Sequence, residues 1–281
     1  MTNREQIDFW NGPRGESWVA DQPLRDRSLA PFGDAALALA RASRGERVVD
    51  VGCGCGATSL ALAEAVGPAG SVLGVDLSGP MLARARERGR ALPQLRFEQV
   101  DAATFAFDGQ ATLLYSRFGV MFFDDPPSAF ENLRRALSPG GRIAFACWRG
   151  LPENDWLSVP LQAVRAVVAQ ASAQLAPDAP GPLAFADPTR VRGILEGAGF
   201  DDISLTPVDR EMPLGEGRGV DAAAAEAITL GPAARLLLGV DDATRVRALA
   251  AVASALAPLE RGGAVRLSAS AWVVSARRAD G

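Results

Sequence analysis

The feature that most constrains the fold of this chain is a glycine-rich turn between an apolar run and a helical pattern. β-Branched residues lead into Asp50, and Gly52, Gly54 and Gly56 follow at alternate positions. The apolar run is typical of a strand buried on both faces of a parallel sheet. Glycines let backbone N–H groups approach a ligand closely, at the N-terminus of a helix whose dipole favours electron-rich groups. The segment predicts a nucleotide-binding strand–loop–helix unit.

Two types of cofactor use such a loop, and the glycine spacing alone does not choose between them. Gly52, Gly54 and Ala57 also fit the G-x-G-x-x-G/A pattern of dinucleotide-binding proteins. The full pattern is Asp50-x-Gly52-x-Gly54-x-Gly56, with an acid two residues before the first glycine. A carboxylate there can meet a cationic group of a ligand, whereas a pyrophosphate would gain nothing from it.

Further polar residues close the predicted strands that follow. The strands are predicted at 47–51, 71–75, 95–100, 111–116 and 142–148. Asp76, Asp101 and Ser116 end the second, third and fourth of them. Because ligands of open parallel sheets bind outside the carboxyl ends of the strands, we expect these side chains and Asp50 to share one edge.

The alternation of strands and helices predicts an α/β fold. We expect a doubly wound, Rossmann-like sheet of seven strands with an antiparallel last strand, plus helical insertions that form a lid. A single domain of 281 residues is expected to have a helical cover at 1–46, a core at 47–149, a lid insertion at 150–186 and C-terminal strands at 187–281 with a helical insertion at about 221–259. Helices are also predicted at 8–22, 34–44, 128–137 and 155–175.

The composition excludes several classes of protein. The net charge is −4, without a stripe of basic residues that could follow a phosphate backbone, so we expect no nucleic-acid partner. The chain has no histidine, which removes zinc triads and histidine bases. The three cysteines form no C-x-x-C pair, and we expect no metal site. A polar N-terminus and the lack of a long apolar run predict a cytoplasmic protein without a membrane span.

The segment from about 47 to 146 resembles class I S-adenosylmethionine (SAM)-dependent methyltransferases of the small-molecule type, similar to the ubiquinone/menaquinone-biosynthesis-like branch. In that family the glycine loop binds the methionine and ribose parts of SAM. The acid after the second strand binds the ribose hydroxyls, and the acid after the third contacts the adenine amino group. The resemblance implies these cofactor-binding residues: Asp50, Gly52, Cys53, Gly54, Gly56, Asp76, Leu77, Met81, Asp101, Ala102, Ser116, Arg117, Phe118 and Trp18.

The resemblance implies methyl transfer to a small acceptor, with S-adenosylhomocysteine (SAH) as the product. The Ala/Leu/Val character of the insertions at 150–182 and 221–259 favours an apolar or aromatic acceptor. Such a displacement depends mainly on orientation and desolvation, which a chain without histidine can supply. If a base is required, Tyr115, Glu153 and Asp155 are candidates. Arg117 either orients an anionic acceptor or pairs with an acid at 124–125.

Two other functions stay open at this point. The chain could be a SAM-binding protein of methyltransferase fold that acts through partners without catalysis. It could also be an NAD(P)-dependent oxidoreductase, although its only tyrosine, Tyr115, has Gly119 four positions later instead of the lysine of a Tyr-x-x-x-Lys pair. The choice between O-, C- and N-methylation and the presence of a homodimer also stay open.

Overall fold

A computed structural model describes residues 3–168 and 179–279 of the chain. The end of the helix predicted at 155–175 lies outside the described residues. The α-helices are α1 Asn3–Asn11, α2 Pro13–Ala20, α3 Gln22–Ala40, α4 Ala57–Val66, α5 Gly79–Gly89, α6 Pro126–Ala136, α7 Asp155–Val167, α8 Pro188–Gly197, α9 Gly219–Ala227, α10 Gly231–Leu236 and α11 Asp242–Leu256. The strands are β1 Arg47–Val51, β2 Ser71–Asp76, β3 Leu95–Gln99, β4 Ala111–Arg117, β5 Leu137–Trp148, β6 Phe200–Leu214, β7 Glu260–Arg261 and β8 Ala264–Arg278.

The strands form one mixed sheet in the order β3-β2-β1-β4-β5-β8-β6, with the two-residue β7 paired to β8. Neighbouring strands from β3 to β5 are parallel, and β8 is antiparallel to β5. The predicted doubly wound sheet and its antiparallel last strand are confirmed. The short β7 is an eighth strand beyond the seven that were predicted.

The centre of the sheet is its most deeply buried part. Asp50 of β1 pairs with Gly74 of β2 on one side and with Tyr115 of β4 on the other. Leu113, Leu114 and Tyr115 are all completely buried. Because β1 is central and ends in the glycine turn, the sheet holds this turn between the ends of β2 and β4.

The N-terminal helices differ from their predicted bounds. Instead of one helix at 8–22, α1 ends at Asn11 and α2 begins at Pro13, since Gly12 has the extended backbone that interrupts a helix. Instead of beginning at 34, α3 begins at Gln22 and continues through Pro31. The missing N–H of a proline costs one helical hydrogen bond. Packing of α3 on β4 and β5 offsets that cost.

The segment 138–141, which precedes the strand predicted at 142–148, belongs to β5, which begins at Leu137. The strand carries an irregularity there, because Ala111 pairs with Leu137 and Leu113 with Arg142. Gly140 has a φ of 72°. The glycines therefore bend the strand locally instead of ending it.

The residues divide into two compact units. The first comprises Met1–Trp148, Ala184–Val208 and Ala271–Gly281, and the second comprises Arg149–Leu183 and Asp209–Ser270. The first unit contains the glycine turn and the strands that flank it. Within the second unit, α7 packs against α9, α10 and α11. Most of the predicted lid and helical insertion fall in this second unit, and their role as a lid stays a prediction.

Candidate functional site

The turn after β1 is fixed by backbone hydrogen bonds. The N–H groups of Gly52 and Cys53 donate to the Val75 carbonyl of β2, at 2.9 and 3.1 Å. The Gly56 N–H donates to the Cys53 carbonyl at 2.9 Å, and α4 begins at the next residue. The turn is therefore tied to the end of β2 before α4 begins.

The three glycines of the turn have different surroundings, although all three have positive φ. A Cβ on Gly52 would lie 2.7 Å from the Gly119 Cα, and one on Gly56 would lie 3.1 Å from the Ala85 Cβ. On Gly54 the nearest atom would be the Met81 Sδ, at 3.8 Å. The outer two glycines permit close packing, while Gly54 leaves space in which a ligand can approach the backbone.

Asp50 is fully buried at the end of β1. Its Oδ2 accepts hydrogen bonds from Thr58 Oγ1 at 2.7 Å and Ser59 Oγ at 2.6 Å, whereas its Oδ1 has no partner within the described residues. Burial raises the pKa of Asp50 to about 6, against the opposing effect of the two hydroxyls. A buried carboxylate oxygen of this kind is stabilised by a cation or a hydrogen-bond donor.

Asp76 ends β2 and holds the loop. Its Oδ2 accepts from the Gly54 N–H and its Oδ1 from the Ser78 N–H, both at 2.8 Å. Burial raises its pKa, while these backbone hydrogen bonds lower it. Each carboxylate oxygen can accept a second hydrogen bond, so both remain able to bind hydroxyl groups.

Asp101 lies beyond the end of β3. Its Oδ1 accepts from the Ala103 N–H at 2.9 Å, and its Oδ2 accepts from Asn3 Nδ2 of α1 at 2.6 Å. The carbonyl of the buried Ala102 accepts from Asn132 Nδ2 at 3.0 Å. Asp101 thus combines a turn-capping role with a contact to the N-terminal helix.

The N-terminal helices bind the end of β2 through Asn11, which the sequence reasoning missed. Asn11 Nδ2 donates to the Leu77 carbonyl at 3.0 Å, and its Oδ1 accepts from the Gly79 N–H at 2.9 Å. Ser78 Oγ also donates to the Trp10 carbonyl at 2.7 Å. Asn11 lies within the helix predicted at 8–22, and nothing in its sequence context indicates this contact with the end of β2.

The end of β4 is aromatic and has a strained backbone. Phe118 has a φ of 63°, which is uncommon for a bulky residue. Its ring stacks on Trp148 with centroids 4.0 Å apart, and Phe32 contacts both rings edge to face. The buried Ser116 Oγ accepts from the Gly119 N–H at 3.1 Å and helps to fix this turn. Such strain persists only where the surroundings hold it in place.

Arg117 pairs with an acid that the sequence reasoning did not consider. Its Nη2 lies 3.5 Å from Asp26 Oδ1 of α3, and Asp26 Oδ2 lies 3.0 Å from Arg88 Nη2. The alternative pairing with the acids at 124–125 is wrong, because Asp125 instead caps α6 by accepting from the Ser128 N–H. Sequence order concealed the contact, since Asp26 and Arg117 are 91 positions apart.

The candidate bases lie in different surroundings. Tyr115 is fully buried and donates to the Gly33 carbonyl at 3.0 Å, and burial raises its pKa further above the ordinary value. This argues against Tyr115 as a general base. Glu153 and Asp155 belong to the second unit, where Glu153 Oε1 accepts from Arg149 Nη2 at 2.9 Å. Their participation in chemistry stays a prediction.

The remaining predicted residues frame the loop or its cover. Cys53 and Met81 are buried, and burial raises the pKa of the Cys53 thiol well above its ordinary value. The Leu77 carbonyl also accepts from Gln99 Nε2 at 2.9 Å. Trp18 contacts Trp10 edge to face at 5.9 Å. Among the described helices, none has the length and apolar character needed to cross a membrane.

Comparison with known proteins identifies relatives of the core. A family described as a methyltransferase domain matches residues 48–141. Trans-aconitate 2-methyltransferase of Variovorax paradoxus (strain S110) is 42% identical over 109 residues, which is 38% of this chain and 39% of that protein. Nocamycin O-methyltransferase of Saccharothrix syringae is 32% identical over 180 residues, which is 60% of this chain and 64% of that protein. The chain thus spans less than two thirds of the length of these relatives.

A solved structure agrees with the topology. The YcgJ protein of Bacillus subtilis superposes with a TM-score of 0.57 at 16% sequence identity, covering 91% of this chain and 99% of that one. At that level of identity the likeness concerns the fold alone. It extends well beyond the matched domain and includes most of the residues on either side of it.

Proposed function

We propose that this chain transfers a methyl group from SAM to a small organic acceptor, and the match of residues 48–141 to a methyltransferase domain supports this proposal. The relatives named for trans-aconitate and nocamycin support a small-molecule acceptor. Whether oxygen, carbon or nitrogen receives the methyl group depends on the acceptor.

One observation carries the choice of cofactor. The buried Oδ1 of Asp50, which has no partner in the described chain, lies at the end of the strand that leads into the glycine turn. A protonated amino group would neutralise this carboxylate, whereas a pyrophosphate would be repelled by it. The residues therefore fit SAM better than a dinucleotide.

Each loop residue has a distinct proposed role. Asp50 accepts from the amino group of the methionine part, and Gly54 offers its exposed backbone face. Asp76 accepts the ribose hydroxyls with the oxygens that already fix the Gly54 and Ser78 N–H groups. Asp101 and Ala102, beyond the end of β3, are assigned to the adenine.

When bound, SAM supplies an electrophilic methyl group on a sulfonium sulfur. The protein contributes orientation and exclusion of water. The rings of Phe118, Phe32 and Trp148 form an apolar wall beyond β4, and aromatic faces are favourable neighbours for a cation. The N-terminal helices are bonded to Leu77 and Ser78 and so cover the end of β2.

Calorimetric titration of the purified protein with SAM, SAH and NADH tests the proposal. We expect SAM and SAH to bind and NADH not to bind. Radiolabelled SAM is then incubated with a panel of phenols, quinols and carboxylic acids, and labelled small-molecule products are expected. Binding of NADH alone would contradict the proposal. SAH binding without transfer to any acceptor would favour the non-catalytic alternative.

A further inference from the structure

Two arginines of the N-terminal helices share one tryptophan ring. The guanidinium carbons of Arg14 on α2 and Arg25 on α3 lie 5.5 and 5.6 Å from the ring centre of Trp18. Arg25 is 4% exposed. Burial, together with the charge of Arg25, lowers the pKa of Arg14 to about 10, and Arg14 therefore stays charged at neutral pH. These three residues are termed the arginine–tryptophan cluster.

Arg14 and Arg25 each carry a positive charge, and the acid Asp21 lies beside them. Asp21 forms an ion pair with Arg25 at 3.1 Å, and its charge also raises the pKa of Arg14. The Asp21 side chain is largely accessible to water, which weakens its effect on the buried guanidinium groups. The charge of Arg25 lowers the pKa of Arg14, so the two guanidinium groups repel each other and an anion bound beside them would be stabilised.

Two neutral side chains near the cluster are buried without hydrogen-bond partners in the described chain. Gln6 of α1 is 2% exposed, and neither its Nε2 nor its Oε1 has a partner. Ser28 lies one turn after Arg25 on α3, is 6% exposed and has an unpartnered Oγ. Gln6 is one helical turn before Trp10, which contacts Trp18. Buried polar groups are normally paired, so these side chains point to a ligand.

The N-terminal helices that carry these side chains contact residues just beyond β2 and β4, the two strands that flank the glycine turn. α2 contacts the end of β2, because a Cβ on Gly15 would lie 3.0 Å from Ser78 Oγ. Trp10 contacts Phe122, just beyond β4, with ring centroids 5.5 Å apart. Since β1 lies between β2 and β4 in the sheet, the helices pass over the end of β1. An acceptor held beneath them would face the proposed cofactor.

We propose that Arg14, Arg25, Gln6 and Ser28 bind the methyl acceptor, and that this acceptor is a carboxylic acid that also carries a hydroxyl group. The inference rests on the proposed function and names its substrate class. Guanidinium groups bind carboxylates through paired, charge-assisted hydrogen bonds. The Ser28 hydroxyl and the Gln6 amide bind the remaining polar group of the acceptor.

The unpartnered amide of Gln6 is the reason to expect a hydroxyl group on the methyl acceptor. Its Nε2 requires an acceptor and its Oε1 requires a donor, and this holds whichever way the amide is oriented. A hydroxy acid offers both, whereas a fully ionised phosphate offers only acceptors. The methionine carboxylate of SAM shares part of this chemistry, so the experiments separate cofactor from acceptor.

The first experiment titrates the full chain, saturated with SAH, with matched acids by calorimetry. Salicylate and malate carry both groups, while benzoate, phenol and succinate each lack one. We expect the hydroxy acids to bind at least about tenfold more tightly than their matched compounds. Equal binding of phenol and salicylate, or SAH binding without binding of either hydroxy acid, would overturn the inference. Failure of SAH itself to bind would instead contradict the proposed function.

A charge variant tests whether the arginines bind the carboxylate of the acceptor or the methionine carboxylate of the cofactor. Arg25→Gln is expected to raise the dissociation constant of the bound hydroxy acid at least about tenfold, with less than about threefold change for SAH. Arg27→Gln removes the same charge from the exposed side of α3 and should change neither constant. A tenfold loss of SAH affinity with unchanged acid binding would assign the cluster to the cofactor and overturn the inference.

Gln6→Met distinguishes binding from a structural role. Methionine has nearly the same shape but no buried amide to satisfy, so Tm should rise or stay unchanged. The same variant should bind the hydroxy acid about tenfold more weakly. A lower Tm with unchanged acid binding would show that Gln6 supports the fold, and it would overturn its place in the site.

Discussion

The glycine turn and the N-terminal cover lie at the same edge of the sheet but satisfy their polar groups differently. In the turn, Gly52 and Cys53 donate to Val75, and both oxygens of Asp76 accept backbone N–H groups. In the cover, Gln6 and Ser28 are buried without partners among the described residues. The turn leaves the Asp50 Oδ1 without a partner in the described chain, but its backbone is held in place by the protein itself, and such a fixed backbone suits a constant cofactor. A site whose polar groups need the ligand can discriminate between acceptors.

The largest effect on SAH binding is expected when Asp76, the acid that fixes the turn, is replaced. Asp76→Ala should weaken SAH binding by about 2–4 kcal/mol, because it removes charge-assisted hydrogen bonds to the ribose and frees the Gly54 N–H. Calorimetry gives the dissociation constants. Asp108→Ala, at an exposed acid that pairs with Arg47, is the control and should bind SAH normally. Unchanged affinity in Asp76→Ala would contradict a preformed cofactor site.

Two glycine variants divide the turn into packing and binding parts. Gly52→Ala should lower the free energy of unfolding by about 2–3 kcal/mol, because its Cβ would meet Gly119 and its φ is positive. Gly54→Ala has only the backbone strain, at about 1 kcal/mol, but should bind SAH more weakly. Urea denaturation and calorimetry measure the two quantities. Equal stability losses would contradict the open surroundings of Gly54.

The raised pKa of Asp50 predicts a pH dependence. Folding raises this pKa from 3.8 to about 6, so ionisation of Asp50 lowers the stability of the ligand-free protein as pH rises between those values. A ligand cation that binds the carboxylate requires loss of the proton. SAH affinity should therefore rise about tenfold from pH 5 to pH 7.

Calorimetry across this pH range measures the slope for the wild type and for Asp50→Asn. Asp76, whose pKa is also raised by burial, would contribute in the same direction. The part of the slope that Asp50→Asn removes belongs to Asp50. An identical slope in both proteins would refute the contact between Asp50 and the amino group.

The smallest expected effect concerns Tyr115, which is buried in β4 and bonded to α3. Tyr115→Phe removes the hydrogen bond to the Gly33 carbonyl and should lower the free energy of unfolding by about 1 kcal/mol. The catalytic rate with any accepted substrate should stay within about twofold of the wild-type rate. A large loss of kcat with unchanged stability would restore Tyr115 as a candidate base.

The sequence predicted what depends on near neighbours along the chain. The glycine turn, the acids at the strand ends and the parallel order all follow from local patterns, and the structure has them. The helix bounds of the N-terminal cover were predicted wrongly. Gly12 interrupts the first predicted helix, whereas Pro31 does not interrupt α3. Contacts such as Arg117 with Asp26 depend on the tertiary fold. The burial of Gln6 leaves no sign in the sequence, since an isolated glutamine in an amphipathic helix usually faces water.

Strand β8 has a consequence for the order in which the chain can fold during synthesis. Its residues 271–278 pair with β5 in the first unit, while Ser270 binds Asn154 in the second, across 116 positions. Neither unit can complete its contacts until the ribosome has passed this strand. Until then the free edge of β5 is open to wrong pairing. A nascent chain stalled before residue 264 should therefore depend on chaperones far more than the same chain stalled after residue 278.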